Sequence, residues 1–480
     1  MANQFLRKAG VLMPIASLPG RHGIGDFGSS QYTFLKLLKE NKITYLQILP
    51  LNRLSYGNSP YQPLSSKALD EIYISLDDLT KNGYLKAVPD FLKVSKRINY
   101  DRVRNYKTKY LKEAFHHRQK HKEKDFDGFI SENPWVKQYA FFIANKVLNE
   151  LKPFNEWDKT YELNDPDFKK EYEFQIWLQY IAFKQWKLFF KAAHECGLII
   201  IGDVPFYVGY DSEDVYFNHE AFLLDSQLVP TVVAGVPPDY FNADGQLWGN
   251  PIYNWNYLQE HNFSFFIDRL GFTANFFDVI RIDHFRAIDE YYVIDYGEPT
   301  ARRGHWAPGP KDALVETIKK QYPKMAIIAE DLGTNMETVY QLRDRHNLTG
   351  MDVFQFTVFD KSFVHKDNMV IYTGTHDNTT LKSWYLEFGP IARMKLNRLV
   401  KSNNIKEKTI YDALIHLTLK APDSLAIIPI PDLLHLGVQA RINTPGLVND
   451  ENWSWRLTSY NDLIKKIPVF KHIIEATSRD

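Results

Sequence analysis

Short apolar runs that end in polar residues alternate along the chain with stretches of helical periodicity. Continuous apolar runs of this kind are typical of strands that are buried on both faces of a parallel sheet. The pattern predicts eight strands, at 11–16, 45–51, 198–208, 277–285, 325–331, 353–359, 370–377 and 424–434. Helices are predicted near 31–39, 173–194, 312–321 and 405–419.

Eight strand–helix units predict an α/β fold, a closed (β/α)8 barrel of the TIM type. Two connections are too long for a simple crossover, namely 52–172 after the second strand and 209–275 after the third. We therefore expect one barrel domain over 1–480, with an inserted subdomain at 52–172 on the barrel rim and a second insertion at 209–275. Too few residues follow Arg456 for a C-terminal β-sandwich, which needs about 100, so no such domain is expected.

Composition and charge exclude some classes of protein. Lys+Arg and Asp+Glu both number 58, so the basic excess of a nucleic-acid binder is absent. No apolar run is long enough to span a membrane. Cys196 is the only cysteine, which excludes a disulfide within the chain and is typical of a reducing compartment. We expect a cytoplasmic protein that binds neither nucleic acid nor membrane.

Acidic residues stand at the carboxyl ends of four predicted strands. Asp203 ends the third strand, Asp283 the fourth, Glu330 with Asp331 the fifth, and Asp377 the seventh. In a barrel these ends meet at one mouth, where active sites lie. An ionised carboxylate beside apolar strand residues costs free energy unless it is paired or used. A helix cap explains one such case, but acids at the ends of four strands indicate a functional cluster.

The alternation of side chains along a strand sorts these residues further. Arg281 and Asp283 are two apart, so both point to the same face, where the guanidinium is predicted to hold the carboxyl group ionised. Glu330 and Asp331 are adjacent and point to opposite faces. The alternation alone leaves open which of the two faces the mouth.

Paired carboxyl groups are the groups that cleave glycosidic bonds. One attacks the anomeric carbon or places water there, and the other, with a raised pKa, protonates the leaving oxygen. A third can hold sugar hydroxyls and stabilise the positive transition state. Aromatic residues make up 15% of the chain, which fits either a large aromatic core or rings that pack against sugar faces.

Motifs along the chain resemble those of one enzyme family. Three strand motifs resemble the α-amylase clan: RIDHFR at 281–286, AEDLG at 329–333 and HDN at 376–378. Further segments narrow the resemblance to the 4-α-glucanotransferases (amylomaltases, or disproportionating enzymes): 10–12, 18–20, 23–28, SPYQ at 59–62, 235–241, 245–251, 440–446 and 453–456. α-Amylases typically carry a C-terminal sandwich and amylomaltases do not, which agrees with the expected absence of that domain.

This resemblance implies a role for each candidate residue. Asp283 would be the nucleophile, Glu330 the acid/base catalyst and Asp377 the stabiliser of the transition state. The resemblance also implies residues that bind the substrate. Arg281 and His376 would hold the sugar at the cleavage point, Tyr61 would stack on it, and Asp203 would lie in the same pocket. A loop that covers the glucan would carry Tyr240, Phe241 and Trp248. No metal or other cofactor is implied.

The implied reaction is a retaining double displacement through a covalent glycosyl-enzyme, with maltooligosaccharides and α-1,4-glucans as donor and acceptor. The same acids would serve an α-glucan hydrolase, in which water is the acceptor. A non-catalytic glucan-binding protein would have lost one of the acids, and all three are present. Gly23, Gly25 and Gly28 match a dinucleotide fingerprint formally, but they do not follow a predicted strand directly, and no acidic partner follows at the required spacing.

Three places depart from the usual pattern of this family. Ala287 and Asp289 follow the fourth strand, Pro431 precedes Asp432, and the segment 65–72 is charged. None of these places includes the three acids. They therefore bear on the length of glucan that is preferred and not on the reaction.

Overall fold

The computed structural model of the chain describes residues 5–91, 95–118, 123–238, 242–360 and 368–480. The strands are β1 (Lys8–Leu12), β2 (Tyr45–Gln47), β3 (Ile199–Val204), β4 (Val232–Val236), β5 (Gln246–Pro251), β6 (Val279–Ile282), β7 (Glu290–Asp295), β8 (Gly304–Pro308), β9 (Ala326–Ala329), β10 (Gly350–Val353), β11 (Met369–Tyr372) and β12 (Leu425–Pro429).

The α-helices of the described residues are α1 (Tyr32–Glu40), α2 (Leu76–Lys81), α3 (Tyr100–His117), α4 (Phe126–Glu132), α5 (Trp135–Leu148), α6 (Pro166–Glu195), α7 (Glu213–Phe217), α8 (Trp255–Glu260), α9 (Ser264–Thr273), α10 (Arg286–Asp289), α11 (Lys311–Gln321), α12 (Glu337–Arg345), α13 (Phe354–Thr357), α14 (Leu381–Glu387), α15 (Pro390–Ser402), α16 (Ile410–Lys420), α17 (Ile430–Leu433) and α18 (Asn461–Ala476).

Eight of these strands form one parallel sheet that closes into a barrel. Their order is β10-β11-β12-β1-β2-β3-β6-β9, and each strand pairs in parallel with its neighbours. The two outer strands meet at a parallel bridge between Ile328 and Thr349, where the amide of Ala329 donates to the carbonyl of Thr349 over 2.7 Å. The predicted (β/α)8 barrel is therefore confirmed.

The barrel strands are short apolar segments whose side chains are almost entirely buried. Every residue of β2, β6, β10, β11 and β12 is buried. Parallel strands that are covered by helices on one face and by the barrel interior on the other have no face exposed to solvent. This burial explains why the strand segments appear in the sequence as continuous apolar runs.

One predicted strand is in the wrong place, and others extend too far. The sixth strand is predicted at 353–359, but β10 covers Gly350–Val353 and the residues after it form the helical turn α13. The run predicted at 424–434 likewise ends as the short helix α17. In both places a helical turn that contains large apolar residues follows the strand directly, Phe354 and Phe356 in α13 and Ile430 and Leu433 in α17. Apolarity therefore does not mark where the hydrogen-bonded ladder ends.

The two long connections form layers outside the barrel. The chain between β2 and β3 forms α2 to α6, of which α6 packs against α5 and α1. The chain between β3 and β6 contains β4 and β5, which join β7 and β8 in an antiparallel sheet of order β5-β4-β7-β8. Strands β7 and β8 belong to the next connection, which the apolar pattern does not mark as an insertion. A sheet assembled from two separate connections produces no continuous signal in the sequence.

The segment after Arg456 forms α18, which packs against α16. The described ranges contain one eight-stranded and one four-stranded sheet and no β-sandwich. None of the helices described is both long enough and apolar enough to cross a membrane.

Gly10 lies in β1 between two other strands and has no room for a side chain. A Cβ atom there would lie 2.5 Å from Cδ1 of Ile427 and 2.7 Å from the carbonyl oxygen of Tyr45. The backbone cannot retreat, because β1 pairs with a strand on each side. We expect Gly10→Ala to lower the free energy of unfolding by about 1–3 kcal/mol, measured by urea unfolding.

Gly128→Ala is the matched control for this substitution. Gly128 is an exposed residue of α4, and no atom lies within 4 Å of the position that its Cβ would take. The alanine is expected to raise the free energy of unfolding by about 0.5–1 kcal/mol, because it restricts the unfolded chain. Equal unfolding midpoints for the two variants would contradict the tight packing of β1.

Candidate active site

The carboxyl ends of β3, β6 and β9 carry three of the candidate acids. Asp203 lies in β3, and Asp283 and Glu330 directly follow β6 and β9. The parallel ladder continues past these strands, since the amide of Asp283 donates to Val204 and that of Glu330 to Ile282, each over 3.0 Å. The backbone of both acids is thus held by the sheet and not by a free loop.

Arg281 connects Asp203 with Asp283. It is paired with Asp203 in the register of β3 and β6. Its Nη1 atom lies 2.7 Å from both carboxylate oxygens of Asp203 and 2.9 Å from Oδ1 of Asp283. The guanidinium is buried, so its attraction to the two carboxylates is only weakly screened by solvent.

Glu330, and not Asp331, is the acid that lies beside the end of β6. Its Oε2 accepts a hydrogen bond of 2.8 Å from the amide of His284. Asp331 points away and is fully buried, where it pairs with Arg343 and accepts from the amide of Met351 over 2.9 Å. Asp331 therefore joins β9 to β10. The alternation of side chains left open which of the two acids faces the barrel mouth, and these contacts identify it as Glu330.

His284 adopts a strained backbone conformation between the two acids. Its φ of 48° lies in the left-handed region, which costs a non-glycine residue about 1–2 kcal/mol. Its ring packs edge-on against Trp248, with centroids 4.8 Å apart. Burial, assisted by the charge of Arg286, lowers the pKa of His284 to about 3, so the ring is neutral. Such strain persists where the surrounding structure fixes the residue.

A distant segment fixes the loop that carries His376 and Asp377 after β11. The side-chain amide of Asn443 donates to Oδ1 of Asp377 over 2.7 Å, and Arg441 donates to the Asp377 carbonyl over 2.7 Å. The backbone amide of Asn443 donates to the His376 carbonyl over 3.0 Å. The spacing of residues 440–446 in the sequence indicates no such role, because nothing local shows that they pack over a strand end.

Tyr61 links Asp203 to His376. The Tyr61 hydroxyl donates to Oδ2 of Asp203 over 2.8 Å and lies 2.9 Å from Nε2 of His376. The hydroxyl has one proton, so Nε2 of His376 donates to it, which assigns the tautomer. In agreement, Nδ1 of His376 is buried and has no partner among the described residues. The Tyr61 and His376 rings stack with centroids 5.3 Å apart, and Trp453 packs beside both.

Burial changes the ionisation of the two central acids. It raises the pKa of Asp283 to about 7, because the attraction of Arg281 is outweighed by burial together with the charges of Asp203 and Asp377. Arg281 does favour the ionised form of Asp283, in the direction that the sequence predicts, but its attraction does not offset the effect of burial on the pKa. Burial also raises the pKa of Glu330 well above its usual value.

The two central acids differ in their contact with positive charge. Arg281 contacts Asp283 directly, at 2.9 Å. Among the described residues, the hydrogen bond to the Glu330 carboxyl group comes from an uncharged backbone amide, and Arg281 lowers the pKa of Glu330 by its charge without a direct contact. Direct contact with a cation favours the ionised form, so Asp283 ionises first. One acid is then a carboxylate while its neighbour still holds a proton, as nucleophile and proton donor must be.

A groove of about 750 Å³ crosses the barrel mouth above these residues. Its base is lined by Tyr61, Asp283, His284, His376, Asp377, Asn443 and Trp453. Its walls include Tyr207, Asn242, Asp244, Gln246, Trp248, Pro299, Thr300 and 445–448. The described acidic and histidine residues contain no group of three or more that is arranged to hold a metal ion.

Residues 242 and 244–248, before and within β5, line one wall of this groove. Trp248 lies on β5, and its carbonyl accepts from the side-chain amide of Gln62 over 2.6 Å. Of the residues predicted to cover the ligand, Tyr240 and Phe241 lie outside the described residues. The sequence-predicted residues that the structure brings together at the mouth are Tyr61, Asp203, Arg281, Asp283, Glu330, His376, Asp377 and Trp248.

A turn between β7 and β8, which also lines the groove, bonds to this wall. The amide of Ala301 donates to the Asp244 carbonyl over 3.0 Å. Nε of Arg302 lies 2.8 Å from Oδ1 of Asp244 and donates to the carbonyl of Ala243 over 3.1 Å. The wall of the groove therefore depends on two connections that are separated by the whole of β6.

The chain is similar in sequence and in fold to enzymes of one kind. A sequence model of the 4-alpha-glucanotransferase family matches residues 13–462. The 4-alpha-glucanotransferase of Thermus thermophilus is 37% identical, over 94% of this chain and 95% of that one. The enzyme of the same name from Aquifex aeolicus is 36% identical, over 96% and 98%. The amylomaltase of Streptococcus agalactiae in complex with acarbose has a TM-score of 0.93 and 31% identity, and the match covers 98% of this chain and 99% of that one.

Proposed function

The chain belongs to the 4-alpha-glucanotransferase family, whose reaction transfers stretches of α-1,4-linked glucose between sugar chains, and we propose how its residues carry out this transfer. The three acids that perform the reaction in this proposal are Asp283, Glu330 and Asp377. The difference between the two central acids supports these roles. Arg281 contacts Asp283 and favours its ionised form, while loss of hydration raises the pKa of Glu330 and favours its protonated form. Retaining cleavage of a glycosidic bond needs this combination of carboxylate and carboxylic acid.

In the first step Glu330 protonates the leaving glycosidic oxygen while Asp283 attacks the anomeric carbon. A covalent glycosyl-enzyme forms, and the shortened sugar leaves. Asp377 stabilises the positive charge that develops on the sugar, because its carboxylate lines the base of the groove beside Asp283. The neutral ring of His376, which lines the groove, binds a hydroxyl of the same sugar. Asp203 does not reach the groove: its side chain is fully buried, and its two oxygens bond to Arg281 and Tyr61. Its role is therefore to hold these two residues in place.

In the second step the 4-hydroxyl of another glucan enters the groove. Glu330, which is now a carboxylate, removes the proton of this hydroxyl, and the oxygen displaces Asp283 from the anomeric carbon. A new α-1,4 bond forms, and both acids return to their starting states. Maltooligosaccharides serve as donor and acceptor in this scheme.

Transfer competes with hydrolysis at the glycosyl-enzyme. Water loses this competition when the groove positions a sugar acceptor and excludes solvent from the anomeric carbon. The wall formed by β5 and residues 242–245 contributes to both, since Trp248 and Asp244 line the groove. Contacts from Arg302 hold that wall in place.

We assign one catalytic barrel domain to residues 1–480, with 52–172 as a rim subdomain and 209–275 as the insertion that covers the groove. Strands β7 and β8 complete this cover, because β7 pairs with β4. A cytoplasmic location fits the single cysteine, Cys196, which allows no disulfide within the chain.

Product analysis with maltotriose tests the reaction and its nucleophile. We expect glucose and a ladder of longer maltodextrins, with the number of reducing ends constant, because each cleavage is followed by transfer to a sugar. Asp283→Asn is expected to lower turnover by about 10⁴-fold or more. Its melting temperature should not fall, because the change removes a buried negative charge from the cluster. Glucose and maltose with rising reducing ends would instead indicate hydrolysis.

The pH dependence of kcat/KM reports the order of ionisation. Asp283 must be ionised to attack, so kcat/KM is expected to rise with pH up to about 7, where the pKa of Asp283 lies. It should fall at higher pH as Glu330 loses the proton that it donates. Glu330→Gln should lower kcat/KM by roughly 10²–10⁴-fold and remove the alkaline limb. A flat wild-type profile through pH 7 would disprove these assignments.

Two adjacent arginines test the wall of the groove. Arg302 contacts Asp244 and Ala243, whereas Arg303 is 84% exposed and lies 3.9 Å from Glu298. We expect Arg302→Ala to raise the ratio of hydrolysis to transfer by about two- to five-fold, the effect of one exposed ion pair and its hydrogen bond. Arg303→Ala removes the same charge and should match the wild type. The ratio is measured from reducing ends and oligosaccharide yields, and equal ratios would exclude a role for Arg302.

A further inference from the structure

One buried carboxyl group outside the groove bonds to both ends of the loop that carries His376 and Asp377. The hydroxyl of Thr373, directly after β11, donates to Oδ2 of Asp432 over 2.6 Å. The amide of Leu381, the first residue of α14, donates to Oδ1 of Asp432 over 2.7 Å. Asp432 lies in α17, the short helix that follows β12. Strand β12 is the neighbour of β11 in the barrel, so the loop after β11 is bonded by the segment after the adjacent strand.

Burial of the Asp432 carboxyl group costs free energy, so packing alone does not explain why an acid stands at this position. The residue is 3% exposed, and no ion pair reaches it among the residues that the structure describes. Burial raises its pKa to about 6, and the bonds from Thr373 and Leu381 offset part of that increase. An apolar side chain would avoid the cost of a buried unpaired acid. The carboxylate gains two short hydrogen bonds, and both fix the same loop.

The rest of the loop between Thr373 and Leu381 is held by side chains from other directions. Gln355, on α13, donates to the carbonyl of Thr379 over 2.9 Å. Asn443 binds the opposite side, at Asp377. These contacts fix the middle of the loop, and the Asp432 carboxylate alone bonds to both of its ends among the contacts described.

We propose that Asp432 is a positioning residue for glucan transfer, which rests on the role proposed above for Asp377. By holding Thr373 and Leu381 together, its carboxylate keeps His376 and Asp377 in the position from which they contact the sugar at the cleavage point. Asp432 does not touch the substrate. A displacement of about 1 Å at a substrate-contacting group can cost roughly 100-fold in rate, so release of both loop ends should reduce kcat more than it changes KM.

Two substitutions at Asp432 separate positioning from charge. Asp432→Ala removes both acceptors and is expected to lower kcat with maltotriose roughly 10- to 100-fold, with a small change in KM. Asp432→Asn keeps an oxygen for the Leu381 amide and a donor for the Thr373 oxygen, so it should retain kcat within about three-fold. A kcat for Asp432→Ala equal to that of the wild type would overturn the proposal.

Asp278→Ala is the matched control for loss of a structural carboxylate. Asp278 accepts from the amide of Ile200 over 2.8 Å and lies 3.0 Å from His194, at the amino end of β6 and so at the opposite end of the barrel. Its loss should lower the melting temperature without lowering kcat at a temperature well below melting. An equal loss of kcat in this control and in Asp432→Ala would mean that stability alone explains the effect.

A double substitution shows whether Asp432 acts through Asp377. In the Asp377→Asn background, Asp432→Ala should cause a smaller further loss of kcat than in the wild type, since only His376 remains of the two groups that it positions. Fully additive losses would overturn this route of action. Full activity of the single variant Asp377→Asn would overturn both the role of Asp377 and the positioning role of Asp432. A loss of activity in Asp377→Asn together with wild-type activity in Asp432→Ala would overturn only the positioning role of Asp432.

Thr373→Val decides the question if Asp432→Ala does not fold. This nearly isosteric change removes one of the two bonds to Asp432 and leaves the Leu381 bond in place. We expect kcat to fall measurably, by up to about 10-fold, at a similar KM. An unchanged kcat in Thr373→Val would overturn the proposal.

Discussion

The positive charge of Arg281 allows carboxyl groups to be buried side by side at the base of the groove. One of its nitrogen atoms lies 2.7 Å from both oxygens of Asp203 and 2.9 Å from Asp283. Without this cation, loss of hydration would favour protonation of both acids. The cation does not balance every neighbouring carboxylate, and the remaining negative charge adds to burial in raising the pKa of Asp283. The burial that destabilises this site therefore also keeps a proton available in it.

The closed barrel holds these charges at fixed separations. The register of β3 and β6 places Asp203 opposite Arg281, and backbone bonds beyond the strand ends fix Asp283 and Glu330. His284 keeps a left-handed conformation in which its amide reaches Glu330. Strain and desolvation at a few residues are affordable because a large buried core surrounds them.

Other parts of the chain complete the site from outside the strands that carry the acids. The loop of His376 and Asp377 is held by Asn443 on one side and by Asp432 on the other. The wall of the groove belongs to a small antiparallel sheet that two separate connections build together. The acids are thus positioned by the barrel strands, and the wall of the groove is positioned by connections outside the barrel.

The sequence by itself determined the barrel class and the residues at the strand ends. The two-residue period of a strand placed Arg281 and Asp283 on one face, because that geometry is local and independent of the rest of the chain. Tertiary structure alone decided that Glu330 and not Asp331 lies beside Asp283, that Asp432 and Asn443 support the third acid, and how far burial raises each pKa. These properties depend on distances and desolvation between residues that are far apart in the chain, which no local period encodes.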